Sequence, residues 1–373
     1  MAGTTNSIFS SSLPSSSGRL GSFFASLSED WRYIRIILAA LVLWYIGSQI
    51  VYIFVDTPTN SSAAKVEGFA SKAILHILYF LFLLFLVRLY QFSRTLDRND
   101  SIISALFKAY KADPYQPVRW CIFAVLAVVS FTAFISIFMS VKTAIPEMVP
   151  FYFDEAAYKI DRFLFLGHDP WQLLAPLFAY TKVISVIDFF YTAWAAFIAG
   201  TWFYCFTSRA MNITRRYQFC LAMILLWIVA GNVVATLLSS AGPVYYEYFT
   251  GDATAYAGLM SELARINEIA PLGAVEYHGV LLDMYENSSR RIGGISALPS
   301  IHCGSTLLLL ITFWKSPLPR LLMIGFTAII FIGSVLLAWH YAIDGLIVIP
   351  MAFACWFAAG WILRKLVPAK TES

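Results

Sequence analysis

Leu321–Leu363 reads LLMIGFTAIIFIGSVLLAWHYAIDGLIVIPMAFACWFAAGWIL, 43 residues in which Asp344 is the only formal charge. As one helix this run would be about 64 Å long at about 1.5 Å per residue, roughly twice the hydrocarbon thickness of a bilayer. The chain must therefore cross, turn and cross back. The polar group His340-Tyr341-Ala342-Ile343-Asp344 stands near the middle, where that turn has to fall.

The rest of the chain follows the same pattern. Hydrophobic residues make up 59% of the sequence, charged residues only 13%, and the mean hydropathy is +0.70. A soluble domain carries about 25% charge, so a large soluble core is excluded. The alternation of a membrane β-barrel is absent, and apolar runs of roughly 20 residues recur. The expected fold is all-α and polytopic, with about eight transmembrane helices near 33–55, 69–90, 120–141, 183–206, 218–240, 299–315, 321–340 and 344–363. The sixth is short, as suits a helix that starts below the bilayer surface.

The first 30 residues, rich in Ser and Gly, read as a disordered cytoplasmic tail without a cleavable signal peptide. Residues 31–118 then form a helix pair with a basic cytoplasmic loop, 119–366 a catalytic membrane domain, and 367–373 a second tail. The five cysteines show no metal-ligand spacing and no disulfide framework. The net charge of +4 gives no footprint for nucleic acid.

Basic residues set the expected orientation. Arg94, Arg98, Lys108 and Lys111 follow the second span, and Arg209, Arg215 and Arg216 the fourth. Lys315 and Arg320 join the sixth and seventh, and Arg364, Lys365 and Lys370 follow the eighth. With eight spans all these loops share the cytoplasmic side, as do both termini. The segments 142–182 and 241–298 and the turn at 339–344 then lie on the opposite, periplasmic or luminal side. So do His302, at the start of the sixth span, and His340, at the end of the seventh.

Ionisable groups at membrane depth are costly and suggest function. Pro299 suits the first turn of a helix, which would leave the N–H groups of Ser300, Ile301 and His302 free for an anion such as phosphate. Ser300 adds a hydroxyl, and His302 a group that titrates near neutral pH. His340 and Asp344 are four residues apart, and a carboxylate on one ring nitrogen fixes the tautomer and raises the basicity of the other. Arg290 and Arg291 precede Pro299 in the outer loop and present guanidinium forks suited to phosphate oxygens, while Gly293 and Gly294 would let that loop approach a ligand closely. Tyr245 and Tyr246, after Gly242-Pro243, would frame a headgroup pocket or form an interfacial aromatic belt. His76, His168 and His278 read as structural, and Asp188 as a site residue or a helix tie. No Walker loop, GxGxxG or zinc spacing is present, so neither metal nor cofactor is expected.

Pro299-Ser300-Ile301-His302 and His340-Tyr341-Ala342-Ile343-Asp344 together resemble the two C-terminal motifs of the type-2 phosphatidic acid phosphatase superfamily. The resemblance implies a six-helix catalytic bundle and a double displacement at phosphorus. His340 would be the nucleophile, Asp344 would orient it, and His302 would transfer protons. The phosphatase branch has a Ser-Arg pair seven and six residues before the second histidine, where this chain has Gly333 and Ser334. It also has an earlier Lys-x6-Arg-Pro motif, which is missing ahead of Pro299. Gly242-Pro243-x-Tyr245-Tyr246, Leu298-Pro299-Ser300-Ile301-His302-Cys303-Gly304, Asp161-Arg162 and Gly167-His168-Asp169-Pro170-Trp171 resemble the inositolphosphorylceramide synthase branch.

That branch implies transfer of a phospho-headgroup from a phospholipid to a lipid alcohol. We infer from the residues themselves that Arg290 or Arg291 takes over the phosphate contact of the absent arginine. The alternative within the superfamily is a phosphatase of a lipid phosphate, of the phosphatidic acid or polyprenyl phosphate type, with water as acceptor. A proton-coupled transporter using His302, His340 and Asp344 is a third reading. It predicts internal repeats and groups deep in separate spans, and the sequence shows no repeat.

Overall fold

The computed structural model describes residues 16–51, 113–287 and 294–368. Helix α1 is Ser16–Val51, α2 is Gln116–Met148, α3 is Asp154–Leu164 and α4 is Thr181–Thr207. Helix α5 begins at Ile213 and runs through a π-helical stretch, Val229–Val234, to Leu237. Then come α6 (Ala257–Ile269), α7 (Gly273–Glu286), α8 (Ile301–Phe313), α9 (Pro317–Leu336) and α10 (Ala342–Leu366). The described residues contain no strand.

Six of these helices, α1, α2, α4, α5, α9 and α10, are long and apolar enough to cross a membrane. Of the eight expected spans, the sixth is α8, whose 13 residues reach only about 20 Å. The second, 69–90, lies outside the described residues. Helix α1 starts at Ser16, within the segment expected as a tail. The turn required by the length of 321–363 is present: α9 stops at Leu336 and α10 starts at Ala342.

Local chemistry explains several of these boundaries. Asn212 caps α5, its side chain accepting the Arg215 N–H, as short polar side chains do at N-caps. Pro317 opens α9, where its missing N–H costs nothing. Arg364 and Lys365 occupy the last turn of α10, favoured by the helix dipole.

Helix α5 is the hub, with Tyr217, Phe219, Cys220, Leu221, Met223, Ile224 and Leu226 all buried. It packs against α1, α4, α8 and α10. Helix α1 turns Tyr33, Ile34, Ile37, Leu41 and Trp44 inward, spaced as one helical stripe, and Trp44 Nε1 donates to Asn232 Oδ1 at 3.0 Å. At one end of the bundle Asp30 is buried with Arg216, Nη2 to Oδ1 at 2.8 Å. Tyr217 donates its hydroxyl to the same oxygen at 2.9 Å, and Arg209 lies 3.4 Å from the other. Arg215 bridges that end to the last turn of α8 through the carbonyls of Ile311 and Thr312. Both histidine segments lie at the opposite end.

Candidate active site

Ser300 is the N-cap of α8, and its Oγ accepts the Cys303 N–H at 3.3 Å. Pro299 therefore stands one residue before the cap rather than in the first turn. The Ser300 N–H is also engaged, donating to the Asp344 carbonyl oxygen at 3.2 Å. His302 lies in the first turn, against two rings of α4: Tyr191, nearly parallel at 18° and 4.6 Å, and Trp194 at 4.1 Å. Tyr191 and Trp194 are three residues apart and share one face of their helix.

His340 lies between α9 and α10, just after Ala338, which takes φ 59°, and its N–H donates to the Ser334 carbonyl at 2.9 Å. Its Nδ1 lies 3.1 Å from Asp344 Oδ2, and that oxygen also accepts the Tyr341 N–H at 3.2 Å. The ring also hydrogen-bonds the backbone of Ala297, which favours its protonated form. Burial, together with the charge of Lys142, pushes the His340 ring down to about 3, so the free imidazole is neutral near pH 7. Its centroid is 5.8 Å from that of His302. Residues 38 positions apart in sequence thus meet through a helix start and a helix end.

Helix α3 holds this turn in place. Asp154, Ala157 and Asp161 form its buried stripe, at the i, i+3, i+7 spacing of one helix face. Asp154 accepts the Ala241 and Gly242 N–H groups and the Tyr341 hydroxyl, the last at 2.7 Å. Asp161 accepts the N–H groups of Ala342 at 2.7 Å and Ile343 at 2.8 Å, the unpaired donors of the first turn of α10. Burial raises both carboxyls against the pull of these donors, Asp161 to about 7. Gly242 has φ 99°, and a Cβ there would lie 2.7 Å from the Trp339 carbonyl oxygen. Only glycine lets this segment lie so close to the turn, where the Val244 N–H donates to the Ala338 carbonyl.

The remaining sequence candidates are dispersed. Arg290, Arg291, Gly293 and His76 lie outside the described residues. Gly294 lies against the backbone of Lys142. Tyr245 donates its hydroxyl to the His278 carbonyl at 2.9 Å, and Tyr246 joins a ring cluster with Tyr158 and Tyr256, burial pushing its hydroxyl up to about 12. His278 is buried edge-on against Trp339 at 4.4 Å, and burial lowers it to about 4. His168 is exposed. Asp188 accepts the Gly273 and Ala274 N–H groups, both at 2.8 Å, and so caps α7.

Four residues near the histidines were not singled out in the sequence: Asp154, Lys142, Tyr191 and Trp194. Lys142 has no carboxylate partner among the described residues, and its charge bears on both histidines. A lysine directly after the apolar run 120–141 was the available signal.

The two positions that depart from the phosphatase pattern are tightly packed. A Cβ on Gly333 would lie 2.8 Å from Ile187 Cγ2 and 3.1 Å from Tyr191 Cδ2. Ser334 is 2% exposed, donates to the Phe331 carbonyl and faces Cys303 Sγ at 3.8 Å. Neither position has room for an arginine.

A family model described as the PAP2 superfamily matches residues 155–358. The match starts in α3, takes in both histidine segments and ends within α10. None of the curated proteins and none of the solved structures compared matches the chain.

Proposed function

The chain belongs to the PAP2 superfamily, whose members are generally phosphatases or phosphotransferases, and from that membership we propose a membrane lipid phosphotransferase working through a phosphohistidine on His340. The observation that carries this reading is the pairing of the histidine rings at 5.8 Å, with Asp344 on Nδ1 of one of them.

In the first step His340 Nε2 attacks phosphorus and an N–P bond forms. The bond from phosphorus to the leaving oxygen breaks, and His302 protonates that oxygen. The imidazolium charge created on His340 is met by Asp344. In the second step His302 takes the proton of an acceptor hydroxyl, the acceptor oxygen bonds to phosphorus, and the N–P bond breaks. General acid–base help of this kind contributes about 10² to 10⁴ in rate. Lys142 is the described cation placed to balance the phosphoryl charge, and Arg290 and Arg291, which precede Pro299 in sequence, are proposed to add to it. Ser300 supports the phosphate-binding frame through the helix cap, whereas Tyr245 and Tyr246, engaged with the His278 carbonyl and the Tyr158 and Tyr256 rings, are not assigned to it.

Transfer to a lipid alcohol, as in the inositolphosphorylceramide synthase branch, is favoured over hydrolysis by Gly333 and Ser334, which remove the arginine of the phosphatase pattern. The site is proposed to lie on the periplasmic or luminal face with both termini cytoplasmic. In support, Arg209, Arg215, Arg216, Lys315, Arg320, Arg364 and Lys365 belong to the ends of the helices away from the histidines. Residues 119–366 are the proposed catalytic domain.

The test is to incubate purified protein with labelled phospholipid, with and without a lipid alcohol. A new phospholipid formed only with the alcohol supports transfer. Release of inorganic phosphate as the main product instead assigns a phosphatase.

A further inference from the structure

Polar side-chain atoms buried without a partner are uncommon, and each calls for an explanation. Among the described residues eight such atoms occur, and three of them surround the histidine pair: Tyr191 Oη, Trp194 Nε1 and Asp344 Oδ1. The first two are donors on one face of α4, and both of their rings lie on His302, at 4.6 and 4.1 Å. Tyr191 is only 5% exposed. It reaches this position by packing over the bare backbone of Gly333, where even a Cβ would come within 3.1 Å of its ring. Trp194 is fixed by stacking on Trp227 at 5.9 Å and 5°, and Trp227 is itself anchored through Nε1 to Ser305 at 2.9 Å. The pair is thus held rigidly, with its polar atoms unused.

We propose that Tyr191 Oη and Trp194 Nε1 are substrate-binding donors that hydrogen-bond the oxygens of the phosphoryl group beside His302. This rests on the phosphoryl-transfer reading above and deepens it. Gly333 and Ser334 remove a fixed positive charge, and the space over Gly333 is taken by an aromatic residue with a neutral donor. Neutral donors stabilise an anion by directed hydrogen bonds without adding a second charge to a buried site. An indole N–H is donor only, and a phenol can donate here, so both suit phosphoryl oxygens, which only accept. The chemical class recognised is a phosphoryl group, either on a lipid or as a free anion.

The test uses full-length protein in detergent and follows thermal unfolding against inorganic phosphate, orthovanadate and short-chain phosphatidic acid. Tyr191→Phe and Trp194→Phe each remove one donor and keep a ring in place. The wild type is expected to be protected by these anions, and each variant to need about ten- to a hundredfold more anion for the same protection, with an unchanged unfolding temperature in their absence. Stronger protection by the lipid than by phosphate identifies a lipid-borne group, and the reverse order a free anion; the donor role is upheld in both. Variants protected as well as the wild type overturn the donor role and leave the phosphotransferase reading intact. A wild type that none of the three anions protects overturns both.

Discussion

Ser300 donates its backbone N–H to the carbonyl oxygen of Asp344 at 3.2 Å, joining the two histidine segments main chain to main chain. Because the join needs no side chain, the histidines can be replaced without separating α8 from α10.

His340→Ala is therefore expected to fold and to lose turnover by about a thousandfold or more, with no acid-labile phosphoenzyme. His302→Ala is expected to lose about 10²- to 10⁴-fold while still forming the phosphoenzyme slowly. Turnover and trapping of labelled protein check both. Activity surviving in His340→Ala would sink the covalent route.

Gly333→Ala tests the packing beneath Tyr191. The added methyl group meets Ile187 at 2.8 Å and Tyr191 at 3.1 Å, and overpacking of this kind costs about 1–3 kcal/mol. Lower thermal stability together with reduced activity is expected, since the shift is passed through Tyr191 to His302. A variant as stable and as active as wild type would refute the tight fit.

Arg216→Met leaves Asp30, 2% exposed, without its main partner. Breaking a buried pair costs about 3–5 kcal/mol, so a large fall in unfolding temperature is expected. Arg209, whose side chain is 46% exposed, compensates little. Asp30→Asn combined with Arg216→Met should recover much of the loss, because the uncompensated charge has gone. A double variant no better than the single one would show that the arginine acts through its bond to the Cys205 carbonyl.

Asp161 gives a dependence on pH. Its carboxyl is raised to about 7 by burial, opposed by the Ala342 and Ile343 donors and reinforced by the charges of Asp344 and Asp169. An unfolded aspartate titrates near 3.9, so between about pH 4 and 7 the folded state holds the extra proton. Its contribution to stability is complete below about 4, falls as pH rises to about 7, and is flat beyond. Asp161→Asn removes that slope. Relative to wild type, the variant should gain in unfolding temperature as pH rises from 4 to 7, and equal pH profiles for the two proteins would overturn the assignment.

The sequence made the turn between α9 and α10 legible because length alone forbids a single helix from Leu321 to Leu363. His302, His340 and Asp344 were legible because a polar residue at the edge of an apolar run is conspicuous. The roles of Asp154 and Asp161 were not, since the N–H groups that Asp161 holds are 181 and 182 positions away, and no local pattern announces such a partner. Tyr191 and Trp194 were hidden for the opposite reason. Aromatic residues are common in membrane spans, and only the packing over Gly333 shows that this pair lies against a histidine. Pro299 misled by two places because a proline also suits the residue before a cap, where Ser300 can then accept the Cys303 N–H.

Asp30 and Arg216 are 186 positions apart, and that separation has a consequence for biosynthesis. Chains are made at about 5–20 residues per second, so Asp30 waits roughly 10–40 seconds for its partner to be synthesised. Throughout that interval the first helix carries an unmatched acid and cannot settle against the hub. Helix α1 is therefore locked to the hub only once the hub itself has been made, well after its own translation.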